Sequence, residues 1–316
     1  MTTTFHNHET VPDLHVGHGI SYGGLTIFPV WTPGPDRAER RYTLSEYEAG
    51  ERAGGPSVPS LTLTSTGSLP TLVLEGTVLE GGWQHRVLLH SVLMAPGQKL
   101  DVDVACVEAG RWRGGKGHRV GRRRAPSAVR GASYGLRPET AGRERPAEYR
   151  SSDQSDIWRR VRYYERTYGQ SNTSSLVELG DRMEHSAHEV PTGAFSEPSP
   201  EPLPGQHGVI VGVAGHPLLL ELFDSTRALA EQWESIIQAA KLDAGTVQPA
   251  RVPAWRARAF ADRITGAPMR EVARRGIADE VVAEDLSLFT ARGIRYDGDL
   301  LHLTAVNVKH ELVLAA

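Results

Sequence analysis

Apolar residues in the first third of the chain occur in short runs that alternate with polar residues, and glycine or proline ends most of these runs. The pattern is typical of β-strands, because successive side chains of a strand point to opposite faces. Strands are predicted in ISYGGLTIFPVW, LTLTSTG, PTLVLEGTVLEG, QHRVLLHSVLM and KLDVDVACVEAG, and a short helix around TLSEYEAG. We therefore expect residues 20–112 to form an antiparallel sandwich or barrel.

The rest of the chain mixes helical and strand patterns. The elements predicted there are helices at residues 152–169, 224–244 and around 254–275, and hairpins that turn at Ala214-Gly215 and Asp297-Gly298. Ser152 or Asp153 is the expected N-cap of the first of these helices. The fold class that follows is α+β, with an N-terminal antiparallel β-rich unit and a mixed α/β C-terminal part.

Composition shifts divide the chain into five predicted segments. These are a flexible lead at 1–19, the β-rich unit at 20–112, a basic Gly-, Pro- and Arg-rich loop at 113–150, a helical connector at 151–195 and an α+β part at 196–316. We expect the last segment to pack with the β-rich unit as one domain.

The composition and the absence of known motifs argue against several classes of protein. No apolar run approaches 18 residues, and the N-terminus lacks a basic start and an apolar stretch, so neither a membrane span nor a signal peptide is predicted. The single cysteine, Cys106, fits a reducing compartment, and a bacterial, cytoplasmic protein is predicted. P-loop, GxGxxG, HExxH and GxSxG motifs are absent.

Residues 111–150 hold 12 Arg or Lys against 3 acids, although the whole chain carries a net charge of −3. This block is a candidate site for phosphate or nucleic acid, with contacts through Arg122, Arg123 and Arg124. The alternative is a solvated, disordered connection that does not bury well.

Polar residues thread the apolar segment at 74–97. Strand alternation places Gln84, Arg86 and His90 on one face and the more apolar set on the other. One interpretation is a polar cleft in which Glu75, Glu80 or Glu108 acts as acid or base. In this interpretation Gln84 orients a substrate, and Arg86 and Arg111 hold an anion. The other interpretation is that these are exposed strand residues that make ordinary cross-strand pairs.

Cysteine and histidine offer two further hypotheses. Cys106 would be a nucleophile with His85 or His90 as base, but a lone Cys in a Val-rich strand is more often a small buried residue. His15 and His18 have chelating spacing, but no Cys accompanies them, so a mobile His-rich tail is favoured and no metal site is predicted.

The central segment resembles a known family. Its features are Leu74-Glu75-Gly76, GGWQHR at 81–86, Ala95-Pro96-Gly97 and VACVEAGRW at 104–112, with shorter matches at 152–158, 203–211, 221–224 and 301–305. The pattern is similar to that of the ARG and rhodanese-phosphatase-superfamily-associated protein domain, in which ARG abbreviates ADP-ribosylglycohydrolase. Thr77, Val78 and His85 depart from it, because the family has acids after the first glycine and Asn after the Gln.

The resemblance implies a role in NAD or ADP-ribose metabolism and a phosphate-bearing, nucleotide-derived ligand. Glu108 is then the preferred catalytic acid or base. The expected ligand-binding residues are Gln84, Arg86, Arg111, Trp112, Trp83 and Glu75, with arginine on phosphate and tryptophan on adenine.

Three functions remain open at this level: an active or degenerate enzyme, a non-catalytic module that binds ADP-ribosylated or phosphorylated partners, and a nucleic-acid-binding accessory. Whether the chain is an enzyme, which cofactor it uses and its oligomeric state do not follow from the sequence.

Overall fold

The computed structural model describes residues 9–33, 41–52, 57–111, 114–115, 117–120, 122–136, 153–189 and 201–314. In chain order the strands are β1 (His15–Val16), β2 (Ile20–Tyr22), β3 (Leu25–Trp31), β4 (Tyr47–Gly50), β5 (Ser60–Ser65), β6 (Thr71–Val73), β7 (Val78–Gly81), β8 (Arg86–Leu88), β9 (Val92–Met94), β10 (Lys99–Cys106), β11 (Gly117–Arg119), β12 (Gly208–Val213), β13 (His216–Phe223), β14 (Arg270–Arg275), β15 (Ala278–Asp285), β16 (Phe289–Tyr296) and β17 (Asp299–Asn307). The helices are α1 (Ser127–Ser133), α2 (Gln154–Tyr168), α3 (Leu176–Glu189), α4 (Thr226–Ala244), α5 (Ala254–Ile264) and α6 (Glu311–Leu314).

A nine-stranded antiparallel sheet joins both ends of the chain. Its order is β1-β3-β12-β13-β17-β16-β15-β14, and β2 also pairs with β3. Apolar side chains cover both faces: α4 packs on one through residues such as Trp233 and Ile237, and α5 packs on the other through Phe260 and Ile264. A sheet covered on both faces requires nearly continuous apolar strands, which explains the run VIV in β12 and LLL in β13.

A closed six-stranded barrel, with order β10-β5-β4-β11-β7-β8, forms the second β-structure. Leu61, Leu63, Leu79 and Val104 are among the residues that fill its interior. Helices α1, α2 and α3 pack on its outside against the alternate residues of the same strands, such as Val87 and Ala105. Strands β6 and β9 form a separate two-stranded sheet.

The α+β class is confirmed, and several local predictions hold. Helix α2 begins after Asp153, whose carboxylate accepts a hydrogen bond from the Ser155 backbone N–H, as an N-cap does. Helix α4 spans the segment predicted at 224–244, with Leu229, Trp233 and Ile237 buried. Both predicted hairpins turn where expected, and Asp297 and Gly298 have φ of 55° and 81°.

Other local predictions are wrong. The helix expected around TLSEYEAG is strand β4, because Tyr47 and Ala49 alternate into the barrel interior while Glu48 faces out. The helical piece around 254–275 ends at Ile264, and β14 follows. Strands β2 and β3 are a hairpin that pairs with β12, so residues 20–31 lie in the large sheet. The predicted flexible lead contains β1, which pairs with β3.

The basic segment was expected to resist burial, and its described part contradicts this. Residues 117–119 complete the barrel as β11, and every residue of α1 is buried. Small residues such as Ala128, Gly131 and Ala132 allow this helix to pack closely. A Cβ atom added at Gly131 would lie only 2.7 Å from the Val313 carbonyl oxygen, so a larger residue would clash there. Residues 113, 116, 121 and 137–150 of the segment lie outside the described part.

Candidate functional site

Four of the predicted site residues meet at one end of the barrel. Strands β8 and β10 pair Arg86 directly with Cys106. The Gln84 carboxamide oxygen accepts hydrogen bonds from Arg86 Nη1 at 3.1 Å and the Cys106 thiol at 3.0 Å, and its Nε2 donates to the Glu108 carbonyl at 2.9 Å. We call Gln84, Arg86, Cys106, Glu108 and Arg111 the barrel-end cluster. Both strand faces are buried here, whereas the sequence predicted one polar face.

Neighbouring donors occupy the acceptor positions of the Glu108 carboxylate. It accepts hydrogen bonds from Arg111 Nε at 2.9 Å, the His85 backbone N–H at 3.1 Å and Thr173 Oγ1 at 2.8 Å. Burial acts to raise the pKa of Glu108, but the hydrogen bonds from Arg111, His85 and Thr173 outweigh it and lower that pKa below its ordinary value. The group is therefore ionised at neutral pH, and its acceptor positions are used within the protein.

Arg111 also closes the glycine turn of the barrel. Its Nη1 and Nη2 donate to the carbonyls of Gly82 at 2.9 Å and Gly81 at 3.1 Å. Both glycines have positive φ, 56° and 104°, a conformation that other residues adopt at a cost. Trp83 lies in the same turn and is partly buried, whereas Trp112 is outside the described residues.

Cys106 does not have the character of a nucleophile. Burial raises the pKa of its thiol to about 11, although Arg86 opposes the shift. Because the thiolate is the reactive form, a protonated and fully buried thiol fits the interpretation as a small core residue.

Glu75 lies elsewhere, in a buried ion network between the barrel, α1 and the large sheet. Its Oε1 contacts the Arg130 guanidinium and accepts a hydrogen bond from Tyr134 at 3.2 Å. Arg130 and Arg124 both pair with Glu221, at 2.7 and 3.1 Å. Burial acts to raise the pKa of Glu75, yet Arg130 and Arg124 lower it overall. The charges of this network therefore compensate one another.

The same network corrects the predicted nucleic-acid contacts. Arg124 is 4% exposed and paired with Glu221, so it is not available to a phosphate backbone. Arg123 pairs with Asp181 and Glu80. Arg122 is exposed.

An open polar cleft lies between the outer strands of the large sheet and the loop that joins β8 to β9. Its cavity volume is about 210 Å³. It is lined by His90, Tyr134, Arg270, Val272, Ala273, Arg275, Glu280, Val282, Glu284, Leu286, Thr290 and Arg292, and we call it the cleft.

One wall of the cleft holds a histidine–carboxylate pair. Glu280 Oε1 lies 2.8 Å from His90 Nδ1, and Glu280 Oε2 lies 2.8 Å from Arg275 Nε. Burial acts to raise the pKa of Glu280, but His90, Arg275 and Arg292 outweigh it and lower that pKa to about 2. Glu280 is therefore an anion that orients His90.

The other wall holds an arginine with spare hydrogen-bonding capacity. Arg292 Nη2 donates to the Ser133 carbonyl at 2.9 Å, and the guanidinium lies 4.4 Å above the Tyr134 ring. Its Nη1 is buried and has no hydrogen-bond partner among the described residues, nor does Arg292 form an ion pair with a carboxylate of that part of the chain. An unpaired donor of this kind is costly unless a ligand or water completes it.

Sequence reasoning missed most of the cleft. His90 was noticed by strand alternation, but Glu280 and Arg292 lie about two hundred residues further along the chain. The available signal was the stretch ADEVVAED, in which Glu280, Val282 and Glu284 alternate onto one face of β15. Acids on a strand face next to an arginine-rich strand indicate a polar surface, although not its partner.

Within the described residues, no group of three or more His, Cys, Asp or Glu side chains is arranged to hold a metal ion. The helices of the same residues include none with the length and apolar character that a membrane span needs.

The family model of ARPP-1, the ARG and Rhodanese-Phosphatase-superfamily-associated Protein domain, matches residues 13–306. The chain belongs to this family. The matched residues include those of the barrel, the large sheet and the cleft. Comparisons with curated proteins and with solved structures found no match.

Proposed function

We propose that this ARPP-1 protein binds a phosphate-bearing, nucleotide-derived ligand in the cleft, with Arg292 as the principal contact to the phosphate. The observation that carries the proposal is the buried Arg292 Nη1, which lacks a partner among the described residues in the wall of an open cavity. A guanidinium suits phosphate because its planar donors match two phosphate oxygens.

The surroundings of Arg292 support an anionic ligand. Ser133 and Tyr134 fix the guanidinium, so little side-chain freedom is lost on binding. Arg270 and Arg275 also line the cleft, although each already pairs with a glutamate. The family resemblance points to NAD or ADP-ribose chemistry, which supplies the ligand class.

The experiment is isothermal titration calorimetry with ADP-ribose, ADP, NAD and inorganic phosphate, at two salt concentrations. Arg292→Gln is expected to weaken binding at least about 10-fold, because a charged hydrogen-bond donor is lost. The matched control is Arg274→Gln, which removes the same charge from β14 but does not line the cleft. Wild-type protein that binds none of the panel, or equal affinity in both variants, contradicts the proposal.

The roles predicted for Glu108, Gln84, Arg86 and Arg111 as a catalytic and binding set stay a second proposal. The observation in its favour is that these four residues are connected: Gln84 bonds to the Arg86 side chain and to the Glu108 backbone carbonyl, and the Glu108 carboxylate bonds to Arg111. Against it, Glu108 is saturated by internal donors, so a ligand would have to displace Arg111 or Thr173. Loss of affinity in Glu108→Gln with Arg292→Gln unaffected would favour the barrel end.

A further inference from the structure

The His90–Glu280 pair has a defined proton arrangement. Because Glu280 is an anion, it accepts a hydrogen bond, and His90 Nδ1 must be the protonated nitrogen. In the neutral imidazole, Nε2 then carries the lone pair. The His90 side chain is 17% exposed, whereas that of Glu280 is 5% exposed, so the carboxylate is enclosed behind the ring.

The second ring nitrogen has no competing partner. No described residue forms a hydrogen bond with His90 Nε2, and His90 lines the same cavity as Arg292. A neutral imidazole nitrogen in an open cavity is able to take a proton from water. The carboxylate behind it stabilises the imidazolium that results.

We propose that the cleft is hydrolytic: His90 is the general base that activates water for attack on a phosphorus atom of the bound ligand. This inference rests on the proposed function, because the phosphate must be held by Arg292 for His90 to lie beside it. The substrate class is a phosphoanhydride, such as the diphosphate of a nucleoside-diphosphate derivative.

The reaction balances with water as the only co-reactant. The water oxygen forms a bond to phosphorus while its proton passes to His90 Nε2. The bond between that phosphorus and the bridging oxygen breaks, and the bridging oxygen leaves with the electron pair as part of the second phosphate. The imidazolium then returns its proton to the leaving phosphate or to solvent, and no oxidant or reductant is needed.

Other residues act by position. Arg292 would hold the non-bridging oxygens, and Arg275 fixes Glu280 from the side opposite His90. Arg275 also lies 3.5 Å from Asp103 of β10, so the barrel and the sheet both set the position of the pair. Glu280 is a positioning residue, because it acts through His90.

The test combines binding and turnover on the full chain with ADP-ribose and ADP as probes. His90→Gln is expected to lower kcat about 100-fold while the dissociation constant changes less than about 3-fold, as expected for loss of a general base. Glu280→Gln is expected to lower kcat about 10-fold and to move the acid limb of the pH–rate profile to lower pH. His216→Gln, an exposed histidine of β13 outside the cleft, serves as the control and should leave the rate unchanged.

Hydrolysis in ¹⁸O-labelled water identifies the atom attacked, and the label is expected in a phosphate group of the products. Label on carbon overturns the proposal, and so does an unchanged rate in His90→Gln. Wild-type binding without turnover overturns the hydrolytic inference and leaves the proposed function standing. Absence of binding removes both. Circular dichroism of each variant identifies a loss of rate that is caused by misfolding. If His90→Gln does not fold, the pH–rate profile of Glu280→Gln, which retains His90, tests the proposal instead.

Discussion

The barrel-end cluster and the cleft both collect charged side chains, yet they use them differently. Glu108 receives hydrogen bonds from three residues and has its acceptors filled within the protein. Arg292 in the cleft has a buried nitrogen without a hydrogen-bond partner among the described residues. His90 Nε2 likewise forms no hydrogen bond with a described residue. Satisfied polar groups stabilise a unique structure, whereas unsatisfied ones beside a cavity are available to a ligand.

The difference predicts that substitutions in the two regions change different quantities. Substitution of Glu108 should lower the free energy of unfolding and leave ligand affinity intact, whereas substitution of Arg292 should lower ligand affinity with little change in the free energy of unfolding. The family resemblance drew attention to the barrel end, because its sequence motif is contiguous there.

The largest expected effect is on stability in Glu108→Gln. Loss of the charge weakens the bonds to Arg111, His85 and Thr173, and the free energy of unfolding should fall by about 3 kcal/mol. Urea unfolding measures this, with Glu48→Gln on the outside of β4 as the control, expected to change by less than about 0.5 kcal/mol. A stable Glu108→Gln variant that no longer binds ADP-ribose would reverse the roles of the two regions.

The next effect is the acid dependence of stability at the cleft. The pKa of Glu280 is lowered to about 2 in the folded protein, against 4.5 for an unperturbed glutamate carboxyl. Its contribution is therefore fully present above pH 4.5 and is lost as the pH falls from 4.5 through 2. That contribution is at most about 3–4 kcal/mol.

Glu280→Gln should remove this part of the acid dependence, so the difference in unfolding free energy between wild type and variant should narrow as the pH falls from 5 to 3. Urea titrations at several pH values measure it. A difference that is constant over this window would show that Glu280 has an ordinary pKa in the folded state and does not orient His90 as an anion.

The smallest effect is expected for Arg86→Met at the barrel end. Arg86 forms a single described hydrogen bond, to Gln84, and its Nε has no partner in the described chain. Replacement of a poorly compensated buried cation by an apolar side chain should change the unfolding free energy by about 1 kcal/mol or less, in either direction.

Arg160→Met is the matched comparison, since Arg160 is equally buried but donates to the carbonyls of Ala128 and Val313 at 2.7 Å each. It should cost about 3 kcal/mol, because those buried carbonyls lose their donors. Equal losses in the two variants would mean that Arg86 has a compensating ligand or water at the barrel end, which would favour the second proposal.

The local predictions succeeded where one element carries its own signal. Helix α4 has an apolar stripe at helical spacing, and Asp297-Gly298 supplies the positive φ that a tight hairpin needs. The prediction failed at TLSEYEAG, because residues of moderate helix propensity became a strand once Tyr47 and Ala49 were needed inside the barrel. Tertiary burial outweighed local preference there.

For the candidate site, strand alternation correctly grouped Gln84 with Arg86, since the two share a face and a hydrogen bond. It could not show that this face points into a closed barrel. The run QHRVLLHSVLM was expected to be a single strand, yet β8 belongs to the barrel and β9 pairs with β6. A short loop separates β8 from β9, and His90 lies in that loop.

The fold class, the helices with clear periodicity, the hairpin turns and the family follow from the sequence alone, because each depends on residues that are near one another or on a contiguous motif. Which charges are neutralised and which face a cavity depends on tertiary contacts. His90 and Glu280 are separated by 190 positions in the chain. The buried Arg124 is likewise paired with Glu221, which lies on a distant strand. Strand pairing and charge compensation join residues that are far apart in the chain. The sequence therefore contains the residues of the cleft but does not show which of them lie close together.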